Sequence, residues 1–234
     1  MSQDVQNRRN ALTLLRRWED VMASGKRRAG RPKLSAEQQA AFRETIIDVA
    51  KGLFFEHGVS GVSIRNIATG VGCSPMTIYS YFENKHAILR CIWEVIFDEL
   101  YQTCVHATKR ETTPLTKLRK LCRAYLKFWL LNRDYFYVVY LTVDPETISL
   151  GQDFFEMEEV SVKKVYELID SLIDDSKRDK SLSGASTRKM SQTLLISMFG
   201  ILFSLITIPE YDWVDEDTLI KEVFEHFIRG YAPQ

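Results

Sequence analysis

Residues 63–89 read SIRNIATGVGCSPMTIYSYFENKHAIL, and the punctuation of this stretch decides the reading of everything around it. Ser63, Ser74 and Asn84 are residue types whose side-chain oxygens accept hydrogen bonds from the free amide groups at a helix start. Ile64, Ile67 and Ala68 form the inner face of a first short helix, which ends near Gly70-Val71-Gly72. Pro75 then stands at the first helical position of a second, where its missing N–H costs nothing. Two short capped helices joined by a glycine-containing turn form a helix-turn-helix pattern, here over residues 63–82. Ile78 and Phe82 point the second helix inward, and Pro75, Met76, Thr77, Ser80 and Tyr81 lie outward. That outer surface is small, polar and aromatic, which suits close approach to base edges and phosphates in a major groove about 12 Å wide.

Upstream, Ser35-Ala-Glu-Gln38 is a capping-box pattern. Phe42, Ile46, Val49, Ala50, Leu53 and Phe54 repeat at three and four, the mark of one apolar helix face that Gly58 stops. Before Ser35, Leu12, Leu15, Trp18 and Met22 allow a short amphipathic helix. The chain then passes into KRRAGRPK at 26–33, where five of eight residues are basic and Gly30 and Pro32 oppose helix. Residues 1–34 read as a flexible basic arm. Its Arg28 and Arg31 are candidates to enter a narrow A·T-rich minor groove, the alternative being a solubilising tail.

Downstream every pattern is helical. Asn84 caps a long helix with the expected core stripe Ile88, Ile92, Val95, Ile96, Glu99/Leu100 and Thr103. Thr113-Pro114 opens a helix bearing Leu118, Leu121, Cys122, Tyr125, Phe128 and Trp129. A short aromatic segment spans 132–141, a helix runs from about Gln152 to Ile173, and Asp174 to Ala185 reads as a polar loop. Thr187 to Ile208 is a very apolar helix, and Asp215 to Gly230 closes the chain. No strand pattern or internal repeat is present, so the fold class is all-α.

Net charge is zero, yet residues 1–90 hold 14 Lys+Arg against 8 Asp+Glu and the rest hold 17 against 23. A basic front joined to an acidic back implies that only the front meets a polyanion. Cys73, Cys91, Cys104 and Cys122 lack metal-ligand or C-x-x-C spacing and read as reduced thiols in a cytoplasmic protein. No metal or other cofactor is implied. Met190 to Pro209 has 20 residues without a charge, long enough to span a bilayer. Its Ser, Thr, Gln and Gly content favours a buried helix over a membrane-associated one. No nucleophile–base constellation or phosphate-cradling glycine loop appears, so the chain does not read as an enzyme; His57, His86, His106 and His226 are scattered.

The quoted stretch resembles the DNA-binding signature of the TetR family of transcriptional repressors. The matching features are Ser63-Ile-Arg65, the Ile67-Ala68 pair, Gly72, Ser74, Thr77, Tyr79-Ser-Tyr-Phe82, Asn84 and Lys85, with FFEHG at 54–58 before them. The likeness is strong over about residues 36–95 and architectural beyond. Pro75 and Met76 stand where the family often has a Lys-Gly pair, and Cys73 replaces a usual Val, so the resemblance does not carry an operator sequence. It implies a three-helix DNA-binding domain over 35–84 and a larger helical ligand-binding and dimerisation domain over 85–234. The partners implied are double-stranded DNA, a second copy of the chain and a small apolar ligand.

Residue by residue, it implies contact with a guanine or phosphate by Arg65, phosphate and base contacts by Thr77, Tyr79 and Tyr81 beside Ser63, Ser74, Pro75, Met76 and Ser80, and a phosphate anchor at Lys85. Packing is the competing role for Tyr79 and Tyr81. One short recognition helix reads few base pairs, so a two-fold dimer is needed physically. Met198, Leu202, Leu205, Phe224 and Phe227 are the apolar candidates for that interface, with a monomeric core as the alternative. Phe128, Trp129, Phe136, Tyr140, Phe154, Phe155 and Phe199 are the candidates for a ligand pocket, with ordinary core packing as the alternative.

Overall fold

The computed structural model describes residues 35–141 and 161–233, and all regular structure among them is helical. The arm with Arg28 and Arg31, and Phe154 and Phe155, lie outside the described residues.

Helix α1 spans Ala36–Gly61. Its start is the capping box read above, the Gln38 amide donating to Ser35 Oγ at 3.2 Å and the Ser35 amide to Gln38 Oε1 at 3.0 Å. Gly58 does break the helix, at φ 69°, but a further turn runs on to Gly61 and buries Val59. Helices α2 (Ile64–Val71) and α3 (Pro75–Tyr79) follow.

Helix α4 spans Lys85–Thr108 behind its Asn84 cap. Its interior is wider than the expected stripe. Leu89, Trp93, Phe97 and Cys104 are buried beside Ile88, Ile92, Ile96 and Leu100, whereas Val95 and Thr103 face solvent. The physical reason is that α4 is pressed from several sides, by α1, by α5 (Pro114–Leu131) and by α7 (Ser161–Arg178), so no single stripe describes it.

After α5 come a one-turn helix α6 (Arg133–Phe136) and a π-helical turn, Tyr137–Leu141. Helix α7 does not stop at Ile173. It continues to Arg178, so Asp174 to Arg178 are helical and the expected loop is shorter. Lys177 and Arg178 complement the negative helix end, and buried Ser176 donates to the Leu172 carbonyl at 2.7 Å. The remaining loop is pinned, since the amides of Ser181 and Leu182 both donate to the Ser176 carbonyl and Leu182 is buried.

Helix α8 (Thr187–Thr207) packs on α5, α7 and α9 (Glu216–Tyr231). By length and composition α8 could cross a membrane; here Met190, Leu194, Met198, Leu202 and Leu205 along it are buried against those helices. The residues expected at a partner interface are used within the chain. Met198, Leu202, Leu205, Phe224 and Phe227 all lie in the core of the single chain and are not free to meet a partner. The periodicity of α8 fails here because the helix is apolar on two sides. The outer side carries Ile196 (72% exposed), Gly200, Phe203 (40% exposed) and Thr207.

Helices α5 and α9 are joined by Arg119–Glu225 at 2.9 Å, Arg123–Asp217 at 3.0 Å, and Lys127 to Glu216 and Asp217 at 3.1 and 3.0 Å. These pairs are open to solvent, which screens them, so they contribute little. The apolar faces beneath them hold the helices together.

Candidate nucleic-acid interface

The front surface of α1–α3 is built from backbone satisfaction outward. Ser63 is extended, its Oγ accepts the Asn66 amide at 3.2 Å, and Asn66 Oδ1 accepts the Ser63 amide at 2.9 Å. Asn66 thus completes a capping box that the sequence reading missed; the signal was the Ser-x-x-Asn spacing. Helix α2 lies tight on α1, because a Cβ on Gly70 would come 2.7 Å from Val49 Cγ1. Gly72 ends α2 in the left-handed region at φ 77°, a conformation that suits glycine, and its amide donates to the carbonyls of Ala68 and Thr69.

That turn delivers Ser74 as the cap of α3. Ser74 Oγ accepts the Thr77 amide at 3.2 Å, with Pro75 in the first turn. Replacing Ser74 by alanine should lower stability by about 1 kcal/mol. Urea unfolding of the full chain measures this, and an unchanged midpoint would remove the cap from the account.

Ile78 and Phe82 are buried as expected. Met76 projects at 76% exposure and Tyr79 at 51%, while Pro75 and Thr77 are half-buried and Ser80 is exposed. Tyr79 is therefore no packing residue. Tyr81, expected to face outward, is half-buried and rests on Phe42 of α1 with ring centroids 5.2 Å apart. Beside it the Arg43 guanidinium lies 4.7 Å above the Phe82 ring and donates to Cys91 Sγ at 2.9 Å. Phe42 and Arg43 thus pin the far end of the recognition helix. No local pattern could have identified them, because their partners lie about 40 residues away.

Arg65 is exposed, and among the described residues no ion pair holds its guanidinium. Lys85 is half-buried and donates from Nζ to the Val59 carbonyl at 2.9 Å, tying the start of α4 to the end of α1. Its expected phosphate contact requires that this bond be exchanged.

Among the described residues, the aromatic candidates of the back half converge. Trp129 is fully buried, with ring centroids of Phe97, Tyr125, Phe128, Phe136 and Tyr140 at 5.3–6.3 Å, and Phe199 meets Tyr140 at 5.1 Å. Tyr125 Oη, Tyr140 Oη and Trp129 Nε1 are buried and face one another, with Tyr166 beside them, so that Tyr125 Oη accepts from Tyr140 and Trp129 in less than ideal geometry. Burial holds the phenols of Tyr125 and Tyr140 well above the usual tyrosine range, so both remain protonated donors. Burial likewise pushes the Cys104 thiol up to about 12 and raises that of Cys122, which makes both unreactive.

This cluster reaches the front helices. Lys51 of α1 donates to Tyr135 Oη at 2.8 Å and lies 4.5 Å above the Tyr135 ring. Tyr135 in turn packs on Phe128 at 6.1 Å and Phe55 at 5.3 Å.

Residues 46–92 match the family model described as bacterial regulatory proteins, tetR family. A stretch of 60 residues is 33% identical to an uncharacterised HTH-type transcriptional regulator of Mycobacterium tuberculosis, and to its counterpart in a second strain. That stretch is 26% of this chain and 30% of the relative. Two solved structures share the architecture. The fatty acid degradation regulator FadR from Bacillus halodurans matches with TM-score 0.67 at 21% identity, over 81% of this chain and 95% of that one. NalD, the secondary repressor of the MexAB-OprM multidrug efflux pump in Pseudomonas aeruginosa, matches with TM-score 0.64 at 22% identity, over 84% and 99%. At these identities the structural likeness carries the fold.

Proposed function

We propose that this chain, whose residues 46–92 match the tetR family model, is a DNA-binding transcriptional regulator of that family and a homodimeric repressor released from a palindromic operator by a small, largely apolar ligand. The observation that carries the DNA-binding part is the recognition helix. It is capped by Ser74, anchored through Ile78 and Phe82, and offers Met76 and Tyr79 to solvent with Arg65 nearby on α2.

For the dimer, the supporting feature is the outer face of α8. Ile196, Gly200, Phe203 and Thr207 recur at three and four and bring no charge. Gly200 has nothing within 4 Å of where a Cβ would stand, so a second helix could approach there closely. For the ligand, the support is the buried polar cluster of Tyr125, Tyr140 and Trp129, whose groups face one another but are poorly satisfied. Each buried polar group without a good partner costs about 1–3 kcal/mol, a cost that a bound molecule bearing an acceptor oxygen would remove. For repression, NalD offers the analogy of a repressor with this fold. The Lys51–Tyr135 contact is a physical link by which occupancy of the cluster would bias the front domain, within the usual coupling of about 1–3 kcal/mol.

The test is selection of bound duplexes from a random pool by the full chain. An enriched inverted repeat is expected; no enrichment would sink the DNA-binding reading. Deleting residues 1–33 should weaken binding to that repeat and flatten its salt dependence, because basic contacts are lost. Equal affinity at several salt concentrations would remove the arm from the account. Titrating the selected complex with apolar compounds bearing a carbonyl or hydroxyl should release the protein, and failure of a broad set to do so would count against the ligand.

A further inference from the structure

We propose that the recognition helix reads thymine methyl groups through Met76, so that at those positions the operator is chosen by apolar contact. This rests on the DNA-binding reading above and specifies its chemistry.

Base edges in the major groove are distinguished in two ways. Arg, Lys, Asn, Gln, Asp and Glu exchange base-selective hydrogen bonds with them (Ser and Thr bond to them with little selectivity), or an apolar side chain meets the one apolar group displayed there, the thymine methyl. The first way is closed to this helix. From Ser74 to Phe82 the chain holds none of those six residue types. Its hydroxyls are engaged locally. Ser74 Oγ accepts the Thr77 amide and lies 3.0 Å from Thr77 Oγ1, and Ser80 Oγ donates to the Thr77 carbonyl at 2.7 Å. Tyr81 is held against Phe42.

Met76 and Tyr79 are what remains protruding. Single exposed apolar residues are ordinary on protein surfaces. Met76 differs because the polar groups beside it on α3 are hydroxyls, none of the side-chain types that pair in two-bond fashion with one base. Its unbranched, polarisable side chain adapts to irregular apolar surfaces. Hydrogen-bonded readout then falls to Arg65 on the neighbouring helix, and Tyr79, with a hydroxyl at the end of its ring, suits a phosphate.

The experiment uses the full chain and the duplex enriched from the random pool. Each thymine is replaced in turn by deoxyuridine, which keeps every hydrogen-bonding group and removes only the methyl. Affinity should fall about fourfold at one or two positions of each half-site, the equivalent of about 0.8 kcal/mol for one buried methyl. Changing both half-sites should compound this to about 16-fold, since separated contacts add. Met76→Ala should bind the thymine and uracil duplexes equally, with an unchanged thermal midpoint because the side chain is exposed. Met76→Leu should retain the preference.

If wild-type protein ignores the methyl at every position, or if Met76→Ala still discriminates, the proposal is overturned while operator binding stands. If the pool yields no enriched duplex, the regulator reading falls and takes this one with it.

Discussion

A chain carrying Ile196→Glu together with Phe203→Glu is expected to sediment as a monomer and to bind its operator roughly 10²–10⁴-fold more weakly than wild type. Ile196 is 72% exposed, whereas Phe203 keeps an edge contact with buried Phe136 at 5.4 Å, so the double variant should lose some stability while its helical circular dichroism is retained. In a two-fold interface each residue is repeated by symmetry. Two added carboxylates per chain therefore place four like charges across one apolar seam, in a half of the protein that is already acidic. The size of the effect comes from linkage. Two recognition helices held on one frame bind the second half-site at a high effective concentration, and a monomer loses that term without losing any contact of its own. Leu202→Glu is the contrasting variant. It puts an unpaired charge at a fully buried position two residues from Gly200 and should unfold the chain, not merely separate two copies. A double variant that remains dimeric in sedimentation would move the interface to another face.

The second large effect is on stability. Trp129→Ala should cost about 3–5 kcal/mol, which at about 2–4 °C per kcal/mol for a chain of this size lowers the thermal midpoint by about 6–20 °C. Trp129 is fully buried, and five rings meet it, mostly edge-on. Such pairs add about 0.5–1.5 kcal/mol each beyond area burial. Trp129→Phe should behave differently. It forfeits volume, but it also removes a buried Nε1–H that meets the Tyr125 hydroxyl in less than ideal geometry, which relieves part of a burial cost of about 1–3 kcal/mol. The two terms oppose each other, so a net change of under about 1.5 kcal/mol is expected. Differential scanning calorimetry of both variants separates these cases. A large loss in Trp129→Phe would mean that the indole N–H is satisfied in solution, by water or a bound molecule.

Much of this protein was legible locally. Capping depends on residues three apart, so Ser35, Ser63, Ser74 and Asn84 announced their helices, and Gly72 announced the turn between α2 and α3. The buried side of α3 was likewise readable, because Ile78 and Phe82 are its aliphatic and aromatic anchors on one face. Legibility declined where more than one face was apolar. On α4 the stripe misplaced Val95 and Thr103, and on α8 and α9 the residues assigned to a partner were core. The end of α7 is not legible locally because Asp174 to Arg178 is polar, although Ser176 turns inward and is buried.

The site divides in the same way. That residues 63–85 form a DNA-reading unit follows from the sequence, since caps, turn and helix lengths are local properties of the chain. Which of its side chains remain available depends on the tertiary structure. Tyr81 is drawn onto Phe42, Arg43 covers Phe82, Lys85 is tied to Val59, and Met76 with Tyr79 is left standing out. Those pairings join residues 26 to 39 positions apart, and no periodicity along the chain encodes them. Sequence alone therefore determined the helices and the motif they build, because short-range hydrogen bonds decide where a helix starts and stops. Only the packing of α1 and α4 around that motif decided which atoms are left to meet a base, because exposure is a property of neighbours brought together from elsewhere in the chain.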